Sequence, residues 1–121
     1  MTIPEIHIIC KRYEIDHYII LENRSLDVFG NVNLSNSNLI EIPILFNCVS
    51  GNFTCCHNKI ELLVGLPKHV GGDLCFESNS LIFVPDNFKL LSKCDVTGEF
   101  YLDIPFKNAL KRYNEIMSII G

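Results

Sequence analysis

At 121 residues, 48% hydrophobic and 20% charged, the chain can bury one modest core and is too apolar to be a disordered polymer. Ten basic against fourteen acidic residues give a net charge of −4 with no Lys/Arg run, which argues against nucleic acid and anionic membranes as partners while leaving a basic protein surface open. Met1–Arg12 has no basic leader or small-residue cleavage site, and no apolar run approaches the roughly 20 residues a bilayer span needs. A cytoplasmic chain is therefore expected, and its cysteines (Cys10, Cys48, Cys55, Cys56, Cys75 and Cys94) are expected to be reduced and to pack as small hydrophobes.

Pro4 follows Thr2 at a position suited to a first helical turn, and Ile6, Ile9, Cys10 and Tyr13 keep helical spacing, so a short helix is predicted over Pro4–Tyr13. Tyr18–Leu21 and Leu26–Phe29 are apolar runs around the polar Glu22–Ser25, the pattern of a hairpin. Helix and hairpin together form an N-terminal cap over residues 1–29.

From Gly30 the chain repeats. GNVNLSNSNLIEIPILFNCVS, GNFTCCHNKIELLVGLPKHVG and GDLCFESNSLIFVPDNFKLLS begin at Gly30, Gly51 and Gly72, each 21 residues after the last. Five apolar columns agree: Val32/Phe53/Leu74, Leu34/Cys55/Phe76, Leu39/Ile60/Leu81, Ile42/Leu63/Val84 and Val49/Val70/Leu91. The first two columns lie two residues apart, so each pair shares one side of a short strand: Val32–Leu34, Phe53–Cys55 and Leu74–Phe76. One strand per unit predicts a parallel sheet. A polar column, Ser37/Asn58/Asn79, suits inward side chains that satisfy turn backbone. The glycines suit a tight approach ahead of each strand, and Pro43, Pro67 and Pro85 a return path needing no ladder hydrogen bonds.

After residue 92 the phase breaks. A fourth unit in register would bury Asp95 and Thr97, whereas Phe100 and Leu102 suit a strand 26 residues after Leu74 and Phe76, so a five-residue insertion is expected between Lys89 and Gly98. Asp103 and Pro105 then start a helix. Phe106, Leu110, Tyr113 and Met117 line one face, with Ala109, Ile116 and Ile120 beside it, predicting a C-terminal cap.

Leu74–Leu81 fits the leucine-rich-repeat core LxLxxNxL; Phe53–Ile60 fits with Phe, Cys and Ile substituted, and Val32–Leu39 with Ser37 in place of Asn. With Leu66-Pro67 ahead of the third copy, the unit resembles the short bacterial leucine-rich repeats. From Tyr13 to Phe88, through the Tyr13–Tyr18 segment, the phrase around GNVNLS and the stretch VSGNFTC…NKIELLVGLPKHVGGDL, the chain resembles a leucine-rich-repeat-like family of small proteins found mainly in bacteriophage genomes. Cys56, where that family has Ser, departs from it. The resemblance implies a short α/β solenoid with helical caps, a phage origin and residence in the host cytoplasm.

Among chemical candidates, Cys55-Cys56-His57 with Cys75 has zinc-ligand types, but repeat register sends Cys55 inward and Cys56 outward, and no CxxC knuckle is present. A thiol nucleophile served by His57 or His69 lacks an indicated acid partner. Gly71-Gly72 lacks the frame of a phosphate loop, and Asp73, Glu77, Asp86 and Glu99 read as solvated surface. No cofactor is implied. The outward strand positions Asn33, Ser35, Thr54, Cys56, Cys75 and Glu77, with Tyr101 and Asp103 on the last strand, form the candidate partner surface. Ile40, Leu62, Ile82 and Phe83, between core columns, form a second, apolar one. The leading expectation is a non-catalytic module that binds and inhibits a host protein such as a defence enzyme. A self-assembling structural subunit is the alternative, and an enzyme using Cys56 or Cys75 the third.

Overall fold

Thr2 and Glu5 start the first helix. In a computed structural model describing residues 1–121, the Glu5 N–H donates to Thr2 Oγ1 at 3.3 Å and the Thr2 N–H to Glu5 Oε1 at 3.0 Å, a capping box that opens α1 (Ile3–Arg12). These bonds hold the Glu5 carboxyl below its ordinary range. Ile6 and Cys10 face the core, where burial pushes the Cys10 thiol up. The expected hairpin follows as β1 (Tyr18–Ile20) and β2 (Leu26–Val28), antiparallel with Ile19 opposite Asp27.

The first two units each contribute two strands, and the third a strand and a helix. The first holds β3 (Val32–Asn33) and β4 (Phe46–Val49), the second β5 (Phe53–Thr54) and β6 (His69–Val70), and the third β7 (Leu74–Cys75) followed by a helix, α2 (Pro85–Lys93). β8 (Asp95–Val96), β9 (Phe100–Tyr101) and α3 (Ile104–Ile120) complete an α/β chain of three helices. The strands form two open sheets, ordered β1-β2-β4-β6-β8 and β3-β5-β7-β9, parallel throughout except for β1 with β2.

The second of these sheets is the expected one. Val32 pairs with Phe53, Phe53 with Leu74, and Leu74 with Phe100, so the step of 21 residues gives way to 26 at the last strand. Its hydrogen bonds follow the same rule at each step: Val32 N–H to the Asn52 carbonyl at 2.8 Å, Phe53 N–H to Asp73 at 2.9 Å, Leu74 N–H to Glu99 at 2.9 Å.

Three expectations are corrected. The return path carries a hydrogen-bonded sheet of its own, with Val49, Val70 and Val96 in register. Pro43 precedes β4 by three residues and Pro67 precedes β6 by two, so neither removes a ladder donor. The five extra residues are already absorbed by Asp95, which pairs with His69, so the insertion lies in α2 and Leu91 leaves the Val49/Val70 column for that helix. Pro85 at the start of α2 and Asp86 in its first turn favour the helix there. Finally, α3 closes the core with its first half only: Phe106 is buried and Ala109, Leu110 and Tyr113 pack against the core, whereas Ile116, Met117 and Ile120 are exposed.

One cluster of 24 buried residues runs from Ile6 on α1 to Phe106 on α3. Phe53 is its hinge, edge-on to Phe46 at 5.1 Å and stacked on Phe76 at 5.8 Å between centroids. At the C-terminal end Phe88 stacks on both Phe106 (5.1 Å) and Tyr113 (5.5 Å).

Candidate functional site

The expected outward residues form two rows on the β3-β5-β7-β9 sheet. Asn33, Thr54, Cys75 and Tyr101 are mutually in register across all four strands. Two residues on, just past the end of each strand, come Ser35, Cys56, Glu77 and Asp103.

The rows differ in what is left free. Asn33 Oδ1 accepts the Ser35 N–H and Ser35 Oγ accepts the Cys56 N–H, both at 3.0 Å, so these side chains are partly committed to the backbone. Asp103 takes the Ser78 N–H on its carboxylate at 3.1 and 3.2 Å. Thr54, Glu77 and Tyr101 carry no such structural commitment; Tyr101 is exposed and Thr54 half-buried.

Cys56 and Cys75 correct the expectation of reduced, surface-facing thiols. They are joined as a disulfide, with Cα atoms 5.9 Å apart, and Cys56 is buried. Register explains the pairing. Thr54 lies opposite Cys75, and Cys56, two residues past Thr54, comes within the Cα separation that a disulfide spans. The bond ties the second unit to the third and takes both sulfurs out of any nucleophile role.

The Cys55-Cys56-His57-Cys75 set does not converge. Cys55 is sealed in the core, where burial pushes its thiol up to about 12 against a small opposing hydrogen bond from Asn58. His57 is exposed at a turn with φ 57°. Burial, assisted by the Asp95 charge, pushes the Cys94 thiol up to about 11. Neither buried thiol is set up to ionise near neutrality.

Gly71-Gly72 serves the repeat. A side chain at Gly51 would overlap Asn31 Oδ1 and the Gly30 carbonyl, and one at Gly72 would overlap Asn52 Oδ1. Those oxygens are hydrogen-bonded: Asn31 accepts the Asn52 N–H at 2.8 Å, Asn52 the Asp73 N–H at 2.9 Å, and Asp73 the Glu99 N–H at 2.9 Å. Asp73 is thereby a ladder member, where the sequence suggested free surface.

The first sheet presents a row that sequence reasoning missed. Asp27, Cys48, His69 and Asp95 are in register on its outer side. His69 Nδ1 lies 3.3 Å from Asp95 Oδ2, and Asn47 donates to Asp27 Oδ1 at 2.8 Å. Cys48 is half-exposed and free, and stands beside His69 in this row with no hydrogen bond between them. The signal was available: residues 27, 48 and 69 follow the 21-residue step.

Ile40, Leu62, Ile82 and Phe83, which lie between core columns, are all exposed, and the first three line an open groove of about 710 Å³. No helix is long and apolar enough to cross a membrane. No protein-family model, curated protein or solved structure matches the chain.

Proposed function

We propose that this chain is a non-catalytic protein-binding module, built as a short leucine-rich-repeat-like solenoid whose partner lies across the β3-β5-β7-β9 face. The observation that carries this reading is the in-register row Asn33–Thr54–Cys75–Tyr101 along one sheet. Repeat proteins bind through such extended faces because each unit offers the next side chain at a fixed spacing. The Asn31–Asn52–Asp73 ladder favours binding by holding that spacing before a partner arrives, so little ordering entropy is lost on contact.

The resemblance over Tyr13–Phe88 extends the proposal: the chain is a phage accessory protein that acts in the host cytoplasm and inhibits a host protein such as a defence enzyme. Thr54, Glu77 and Tyr101 are its free contact groups, and Tyr101 supplies the aromatic anchor common in interface centres. Affinity capture from bacterial host lysate tests it, run in parallel with the Thr54→Arg and Tyr101→Ala variants. One host protein retained by the native chain and lost with both variants supports the reading. Retention unchanged by either substitution, or no reproducible partner, overturns it.

A further inference from the structure

A second cleft lies at the C-terminal end of the molecule, where β9 and the end of α2 meet the side of α3. Its volume of about 780 Å³ falls within the roughly 300–1,000 Å³ usual for sites that hold small organic molecules. The sequence builds it in two layers. Buried Leu91, Cys94 and Leu102, with half-buried Phe100 and Leu110, make an apolar floor. Burial keeps the Cys94 thiol protonated, so this floor carries no charge.

The walls are polar and exposed. Lys107 and Lys111 stand four residues apart on α3, a spacing that lets both ammonium groups reach a single bound group. Their methylene stems extend the apolar surface while their charged heads stay in water. Neither has an acidic partner, because the ion pairs of the chain are His69–Asp95 and Arg112–Glu115. Glu115 also lines the cleft, but Arg112 already meets its carboxylate at 3.5 Å. Two unmatched cations are left, beside the uncharged Ser92, Asn108 and Asn114. A 2.6 Å hydrogen bond between Ser92 and Asn114 and the stacking of Phe88 on Tyr113 tie α2 to α3, so the walls are in place before anything binds.

Paired cations beside an apolar floor match a molecule with an apolar body and one anionic head. A purely acidic segment would satisfy the lysines but set carboxylates against Phe100 and Leu102. A neutral apolar molecule would cover the floor and desolvate the lysines with nothing in return. We infer that this cleft binds a small amphipathic acid, its carboxylate or phosphate head between Lys107 and Lys111 and its apolar body over Phe100, Leu102 and Leu110. Asn33, Thr54, Cys75 and Tyr101 do not line the cleft, so it and the partner face are separate sites and either can fail alone.

Titration of the isotope-labelled full chain with decanoate, kept below its micellar range and followed by amide chemical shifts, tests this. Saturable shifts centred on Cys94, Phe100 and Leu110 are expected. Lys107→Gln combined with Lys111→Gln weakens decanoate binding about tenfold or more. Far-UV circular dichroism stays unchanged, because both side chains are exposed. Decanol and decylamine, which keep the body and change the head, bind more weakly than decanoate by a similar factor, and so does butyrate, which keeps the head and shortens the body. Shifts that never saturate, that centre on Ile40 and Leu62, or that persist unchanged in the double variant overturn the inference. Equal binding of decanoate and decanol overturns it too. So does equal binding of decanoate and either butyrate or an acidic hexapeptide, which would mean that the cleft reads charge alone.

Discussion

Asn58 reaches one unit back to Ser37: its side-chain oxygen accepts the Ser37 N–H at 3.0 Å and, from the same atom, the Leu39 N–H at 3.0 Å. Its amide nitrogen donates to the Leu34 carbonyl at 2.9 Å. One buried side chain thus satisfies the turn that follows β3. Asn58→Ala leaves these groups unpaired, and urea denaturation should show a loss of about 3 kcal/mol. Asn79, which accepts the Ile60 N–H and donates to the Cys55 carbonyl, is less buried, so Asn79→Ala should cost less.

Gly51→Ala tests the close approach between units. The added methyl meets the Gly30 carbonyl as well as Asn31, and backbone cannot step aside as a flexible side chain can. A loss of about 1–3 kcal/mol is expected. Phe53→Ala, which removes a ring packed between Phe46 and Phe76, should cost about 3–5 kcal/mol by the same measurement.

Thiol counting separates the cysteines. In the native chain an aromatic disulfide reagent should react readily with one thiol, Cys48, because Cys10, Cys55 and Cys94 are buried and Cys56 and Cys75 are bonded to each other. Unfolding without reductant should raise the count to the four free cysteines, and prior reduction to all six. Six thiols on unfolding without reductant would show that the bond is absent.

Alkaline stability follows from the buried thiols. Cys55 and Cys94 are pushed up to about 12 and about 11 from an ordinary 9.0. The unfolded chain therefore loses these protons first. Their contribution to stability is complete below about pH 9 and falls as the pH climbs toward the folded values, by about 1.4 kcal/mol per pH unit for Cys55. Urea midpoints across that window should decline, and Cys55→Ala should flatten the decline while lowering the plateau.

Much of this was legible in the sequence. Column pairs two residues apart located β3, β5 and β7, and the impossibility of burying Asp95 with Thr97 located β9. The other sheet was hidden because its strands are short and lack clean alternation: His69–Val70 offers one inward residue. Alignment of Leu91 with Val70 concealed α2, although Pro85 at N1 and Asp86 in the first turn were ordinary start signals. Asn87 was missed for the same reason. Buried on α2, it accepts the Leu63 N–H at 2.9 Å and donates to Glu61 and Ile82 carbonyls, a role that depends on how the helix docks. The outward row was readable from register. The disulfide was not read, because a chain without a basic leader was expected to keep its thiols reduced, and register sets Thr54, not Cys56, opposite Cys75.

No strand pairing in the molecule joins residues more than 26 positions apart, and Ile20 with Leu26, in the hairpin, are only six apart. Every loop that must close is therefore short, and each unit needs only its predecessor as a template. Such a chain can assemble from its amino end while the rest is still being synthesised, with the hairpin as a local seed and each later unit laid down on the one before it.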